Sequence, residues 1–186
     1  ANTIHRDYGD HSDYPTAKIT VDKLPHNFFN VGLIKTVLPD AKIIFAARDP
    51  RDVGLSNYQQ NFKAKRGGMG FAFELTEIAN EINCCHEVMD HWESVFPRDV
   101  MTLRYEDLVE DPDTHTAKIQ EFLGLDSESG LSDNFYSRET FVKTASVTQV
   151  RKPIYKTSAN KFKNYEQFLE PLIDNVRPDI LARYEM

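Results

Sequence analysis

The stretch "AKIIFAARDPRDVGLSNYQQNF", residues 41–62, decides the fold. Lys42 to Ala47 is an apolar, β-branched run of the kind found in strands buried within parallel sheets. Asp49 can cap a following helix, and Pro50 suits the first helical position, where its missing N–H is harmless. The order strand, Arg48, helix therefore puts an arginine at the carboxyl edge of a sheet, beside the positive end of a helix dipole. A guanidinium there can hold two phosphate oxygens in its rigid fork while Ser56, further along the helix, adds a hydroxyl. The same residues equally allow a solvated boundary cluster, with Arg48 paired to Asp49 or Asp52 and Ser56 a surface or helix-packing residue.

Upstream, residues 1–17 are polar and irregular, residues 18–22 (KITVD) predict a short strand, and an apolar helical stretch runs from about His26 to Leu38. Downstream of the Gly67-Gly68-Met69-Gly70 break, Phe71, Leu75, Ile78, Ile82, Cys85, Met89, Trp92 and Phe96 recur at spacings of three and four and predict a long amphipathic helix ended by Pro97. Val100 to Tyr105 predicts a further strand, Glu106 to Val109 a turn or short helix, and Pro112 opens a helix to Leu123 with Gly124 as its C-cap. Residues 126–160 are loop-rich, and residues 164–174 and 176–184 predict terminal helices. Short strands separated by helices predict an α/β layer fold with a parallel sheet, whose ligands gather beyond the carboxyl ends of the strands.

Composition narrows the function classes. The 186 residues fit one domain with one substantial core, and a formal charge of -7 argues against bulk binding to nucleic acid or to an anionic membrane. No apolar run approaches a membrane span. Cys84 and Cys85 are adjacent, which suits neither a disulfide framework nor a metal clamp, and nothing dictates an oxidising compartment; the expected location is the cytoplasm.

Beyond Arg48 and Ser56, three groups of residues carry candidate chemistry. Lys23 follows the first expected strand and can neutralise charge on a transferred group, or form a surface ion pair with Asp22. His26 can reach a substrate hydroxyl, or satisfy backbone groups at a helix start. Arg151 and Lys152, with Pro153 and Lys156, form a basic loop that can fold over a phosphate or remain solvated. His5 and His11 lack metal-site company, His86 and His91 on the long helix are structural or solvent-facing, and Arg104-Tyr105-Glu106-Asp107 reads as a strand end and cap in which Glu106 or Asp107 tethers a nearby turn.

Taken together, "VDKLPHNF" (21–28), "FAARDPRDVGLSNYQQNF" (45–62), "HWESVFP" (91–97), "RYEDLVEDP" (104–112), "FLGL" (122–125) and "KTASVTQVRKPIYKTSANKFKNYEQFLEPL" (143–172) resemble the sulfotransferase superfamily. The likeness is to bacterial enzymes often fused behind tetratricopeptide repeats, and to tyrosylprotein sulfotransferases. The resemblance implies a three-layer α/β/α fold with a parallel sheet, related to P-loop kinases, and transfer of a sulfuryl group from 3'-phosphoadenosine 5'-phosphosulfate to a hydroxyl or amine, without a metal. The product nucleotide is then adenosine 3',5'-bisphosphate, and the acceptor a small molecule, glycan or peptide. By motif, Arg48 and Ser56 resemble the pair that grips the 3'-phosphate, and Arg151 and Lys152 resemble the later loop that closes on the same end. Lys23 resembles the lysine of the "DK.P" element near the transferred group, with His26 standing in for an acceptor base.

The family's Gly-rich P-R-S-G-T-[ST] loop is not found in these 186 residues, and Phe162 stands further from Arg151 than the corresponding aromatic residue of cytosolic members. The expectation is that residues 1–186 form the C-terminal portion of a single sulfotransferase domain lacking its P-loop part. The edge of such a sheet favours pairing with a second copy or with the missing N-terminal portion. The competing class is a catalytically silent nucleotide-binding or interaction module.

Overall fold

The computed structural model describes residues 19–60, 62, 69–126 and 159–185. They fall into two compact units that divide between Ala41 and Lys42.

In the first unit, residues 19–24 carry neither strand nor helix, so the strand expected over 18–22 is corrected over its described part to irregular chain. Leu24 is extended, and Pro25, which fixes its own φ, starts a 3-10 helix Pro25–Asn30 that continues as α1, Val31–Val37. The helical stretch foreseen from His26 to Leu38 is thus present in two geometries. Lys35 is buried and its Nζ donates to the carbonyl oxygens of Pro39 and, at 3.0 Å, Ala41, which satisfies acceptors just past the helix end.

The second unit is built on β1, Ile43–Ala47, and β2, Val100–Arg104, paired in parallel with Ile43 opposite Val100 and Ala47 opposite Arg104. Between them run α2, Pro50–Gln59, a 3-10 turn Gly70–Phe73 and α3, Leu75–Val95. After β2 come α4, Tyr105–Glu110, and α5, Pro112–Leu123, which ends on Gly124 at φ 66. That left-handed dihedral is why a glycine closes the helix. Among the described residues this is an α/β fold with a small parallel two-stranded sheet flanked by helices.

The C-terminal segment departs from expectation. In place of one helix over 164–174, the chain makes two 3-10 turns, Lys161–Asn164 and Glu166–Phe168, before the short α6, Glu170–Ile173, and α7, Pro178–Ala182. The turns insert Phe162, Leu169, Leu172, Val176 and Ile180 into one core with Leu55 of α2 and Ile78, Ala79 and Ile82 of α3. Burial of these apolar side chains, rather than helical propensity, sets the shape of this segment. Gly54 permits the closest approach: a Cβ there would lie 2.3 Å from a methyl carbon of the fully buried Leu172.

Candidate functional site

The parallel register carries both strands out at the same end of the sheet, so Arg48 follows Ala47 where Tyr105 follows Arg104. The Arg48 guanidinium lies over the Tyr105 ring, 4.9 Å from its centroid. Asp49 caps α2 as the sequence indicated, accepting from the Arg51 N–H at 2.9 Å. The Asp49 N–H donates to Glu106 Oε1 at 2.9 Å, so the carboxylate after β2 does tether the turn after β1.

The two arginines of the opening stretch have different surroundings. Arg51 is part of the N-terminal cap of α2. Its Nε and Nη2 donate to the two Asp49 oxygens at 3.0 and 2.8 Å, and its guanidinium stacks 4.2 Å from the Phe162 ring centroid. The Asp49 hydrogen bond and charge raise the Arg51 pKa above its ordinary value against the opposing effect of burial. Arg48 stands instead 3.5 Å from Asp52 Oδ2, a looser ion pair, with a side chain 25% exposed. Asp52 is buried, and its Oδ1 accepts from the Phe162 N–H at 2.8 Å.

The boundary-cluster alternative thus describes part of the geometry, because Arg48 does have Asp52 beside it. Yet the donor set also fits an anion. Arg48 is partly exposed at the carboxyl end of β1, beside the N-terminus of a ten-residue helix, and Ser56 is exposed on that helix.

In the other unit, Lys23 is exposed on irregular chain, and the neighbouring Asp22 accepts a hydrogen bond from Asn27 Nδ2 at 3.2 Å. His26 lies in the 3-10 helix with its ring centroid 6.0 Å from Phe28 and 6.4 Å from Phe29. Arg151 and Lys152 lie outside the described residues. Among the described residues no group of three or more His, Cys, Asp or Glu side chains is placed to hold a metal ion, and no helix is long and apolar enough to cross a membrane.

Three contacts here escaped sequence reasoning: Tyr105 beneath Arg48, the Phe162 amide on Asp52, and Phe162 against Arg51. The first was within reach, because a parallel pairing that ends both strands together makes their next residues neighbours. The others join residues more than a hundred positions apart through a segment with no clear periodicity.

In α/β folds ligands gather beyond the carboxyl ends of the parallel strands, and that is where β1 delivers Arg48. A family model described as "Sulfotransferase family" matches residues 2–129, more than half of the chain. The chain belongs to the sulfotransferase family. It is 46% identical over 154 residues, 83% of this chain and 20% of the relative, to a protein of Aquifex aeolicus (strain VF5) described as uncharacterized. It is 32% identical over 137 residues, 69% of this chain and 45% of the relative, to the Bos taurus protein named Sulfotransferase 1A1. The chain spans less than half the length of either relative.

Proposed function

We propose that the protein containing this chain transfers a sulfuryl group from 3'-phosphoadenosine 5'-phosphosulfate to a hydroxyl or amine acceptor. In this proposal residues 42–186 supply the grip on the donor's 3'-phosphate, within a three-layer, P-loop-kinase-like sheet of the bacterial repeat-linked or tyrosylprotein type. The observation that carries it is Arg48: a partly exposed guanidinium at the carboxyl end of β1, resting on Tyr105 beside the start of α2, in a chain of the sulfotransferase family.

The donor, when bound, supplies an activated sulfuryl group whose leaving side is a phosphate. Arg48 would hold two oxygens of the 3'-phosphate through its fork, and Ser56 would donate its hydroxyl to a third. Arg151 and Lys152 would add positive charge at the same end of the nucleotide. Lys23 would neutralise charge near the transferred group, and His26 would accept the acceptor's proton. Positioning and fixed charge would then carry the rate, with no metal required of these residues.

Calorimetric titration with adenosine 3',5'-bisphosphate tests the assignment. Arg48→Ala should weaken binding by about tenfold to a hundredfold, the loss expected for charge-assisted hydrogen bonds. Unchanged affinity would remove Arg48 from the site. A second functional class, nucleotide binding without transfer, is favoured by one observation: no P-R-S-G-T-[ST] loop occurs in the 186 residues. Sulfate transfer by the full-length gene product but not by this chain separates an incomplete enzyme from a silent one.

A further inference from the structure

Asp52 is the buried group that meets the candidate arginine. It is 2% exposed, and its two oxygens face different elements. Oδ1 accepts from the Phe162 N–H at 2.8 Å and so fixes the carboxylate's rotation. Oδ2 is shielded from solvent and has no hydrogen bond among the described residues; Arg48 Nη2, 3.5 Å away, is the cation that meets its charge. A buried carboxylate is strongly unfavourable without such compensation, so the Arg48 guanidinium is drawn to one place. The Tyr105 ring supports the same guanidinium from another direction, 4.9 Å from its centroid.

We propose that Asp52 is a positioning residue that aims Arg48 at the 3'-phosphate of the nucleotide. The inference rests on the anion site proposed above and deepens it, assigning the selectivity for a 3'-phosphorylated nucleotide to a carboxylate that does not touch the ligand. Two effects compete. The Asp52 charge repels an incoming phosphate, whereas its orientation of Arg48 pre-forms the fork, which removes an ordering cost from binding. The buried, twice-engaged geometry makes orientation the larger effect. In Asp52→Asn the amide oxygen can still accept from the Phe162 N–H, which leaves the amide NH₂ turned toward the guanidinium. Donor then faces cation, and Arg48 is displaced.

The experiment measures binding of adenosine 3',5'-bisphosphate and of adenosine 5'-monophosphate to the parent chain, Asp52→Asn and Tyr105→Leu. The expected parent behaviour is preference for the bisphosphate. In Asp52→Asn that preference should fall by about tenfold, with binding of the monophosphate changed by less than about twofold, since the loss is confined to Arg48. Tyr105→Leu, which leaves the buried ion pair intact and tests the same idea if Asp52→Asn does not fold, should reduce the preference by about threefold. A merely structural Asp52 would weaken both nucleotides alike, and that result would overturn the inference. So would a preference that is unchanged or increased in the folded variants. Absence of any preference in the parent chain would instead contradict the 3'-phosphate site itself.

Discussion

Arg48 and Arg51 are three residues apart and chemically identical, yet the fold gives them different work. Arg51 is held by both oxygens of Asp49 and by the face of Phe162, so it fastens the start of α2 to the C-terminal segment. Arg48 has a longer ion pair and more exposure, which suits a group that must meet a ligand. A third residue of the stretch, Gly54, is set by packing. With the Leu172 carbons 2.3 and 2.7 Å from where a Cβ would stand, Gly54→Ala should destabilise the chain by about 1–3 kcal/mol in chemical denaturation, offset by up to about 1 kcal/mol of helix propensity. A stabilised variant would show that Leu172 has room to move. Asp49, Pro50 and the position of Arg48 were legible in the sequence because capping and strand termination are local. The difference between the arginines was not, because it depends on Asp52 and Phe162 meeting across the chain.

At the scale of elements, the long amphipathic helix, the two parallel strands and the glycine-capped α5 followed from periodicity and from Pro and Gly punctuation. The strand expected over 18–22 did not form over its described part. Its five residues match a strand pattern only weakly, and Ile19 and Val21 stay exposed, 53% and 85%, instead of facing a core. The C-terminal turns were misjudged for the opposite reason: tertiary burial overrides a helical pattern that is weak over 161–169. The packing of this segment between α2 and α3 carries a prediction. Leu172→Ala, at a site with no exposure, should cost about 2–5 kcal/mol of unfolding free energy. A cost near zero would mean that α6 is not part of the core. Cys85, on α3, has its thiol pushed up to about 12 by burial first and by Glu81 next, so it should be alkylated slowly at neutral pH; rapid labelling would contradict its placement.

For the molecule as a whole, pH acts through buried titratable groups. His86 is buried on α3 with its ring edge-on to Phe45 at 5.4 Å, and burial lowers its pKa from 6.5, helped by Arg183 and Arg177 and opposed by Asp90 and Asp179. The unfolded chain therefore takes up this proton first. Its contribution to stability is full above pH 6.5 and falls as pH drops below that value toward the lower folded-state pKa. Stability measured by urea denaturation should decline as pH falls below about 6.5, and His86→Gln should flatten that decline. An unaltered slope would place the effect on another group.

The family is established by the match over residues 2–129, and the proposed donor site makes a sharper demand on the same fold. That demand is most directly measured by titrating the chain with adenosine 3',5'-bisphosphate and, side by side, with adenosine 5'-monophosphate. The account predicts tighter binding of the bisphosphate by at least about tenfold, lost in Arg48→Ala while the monophosphate affinity is retained. Equal affinity for the two nucleotides in the parent chain would contradict it.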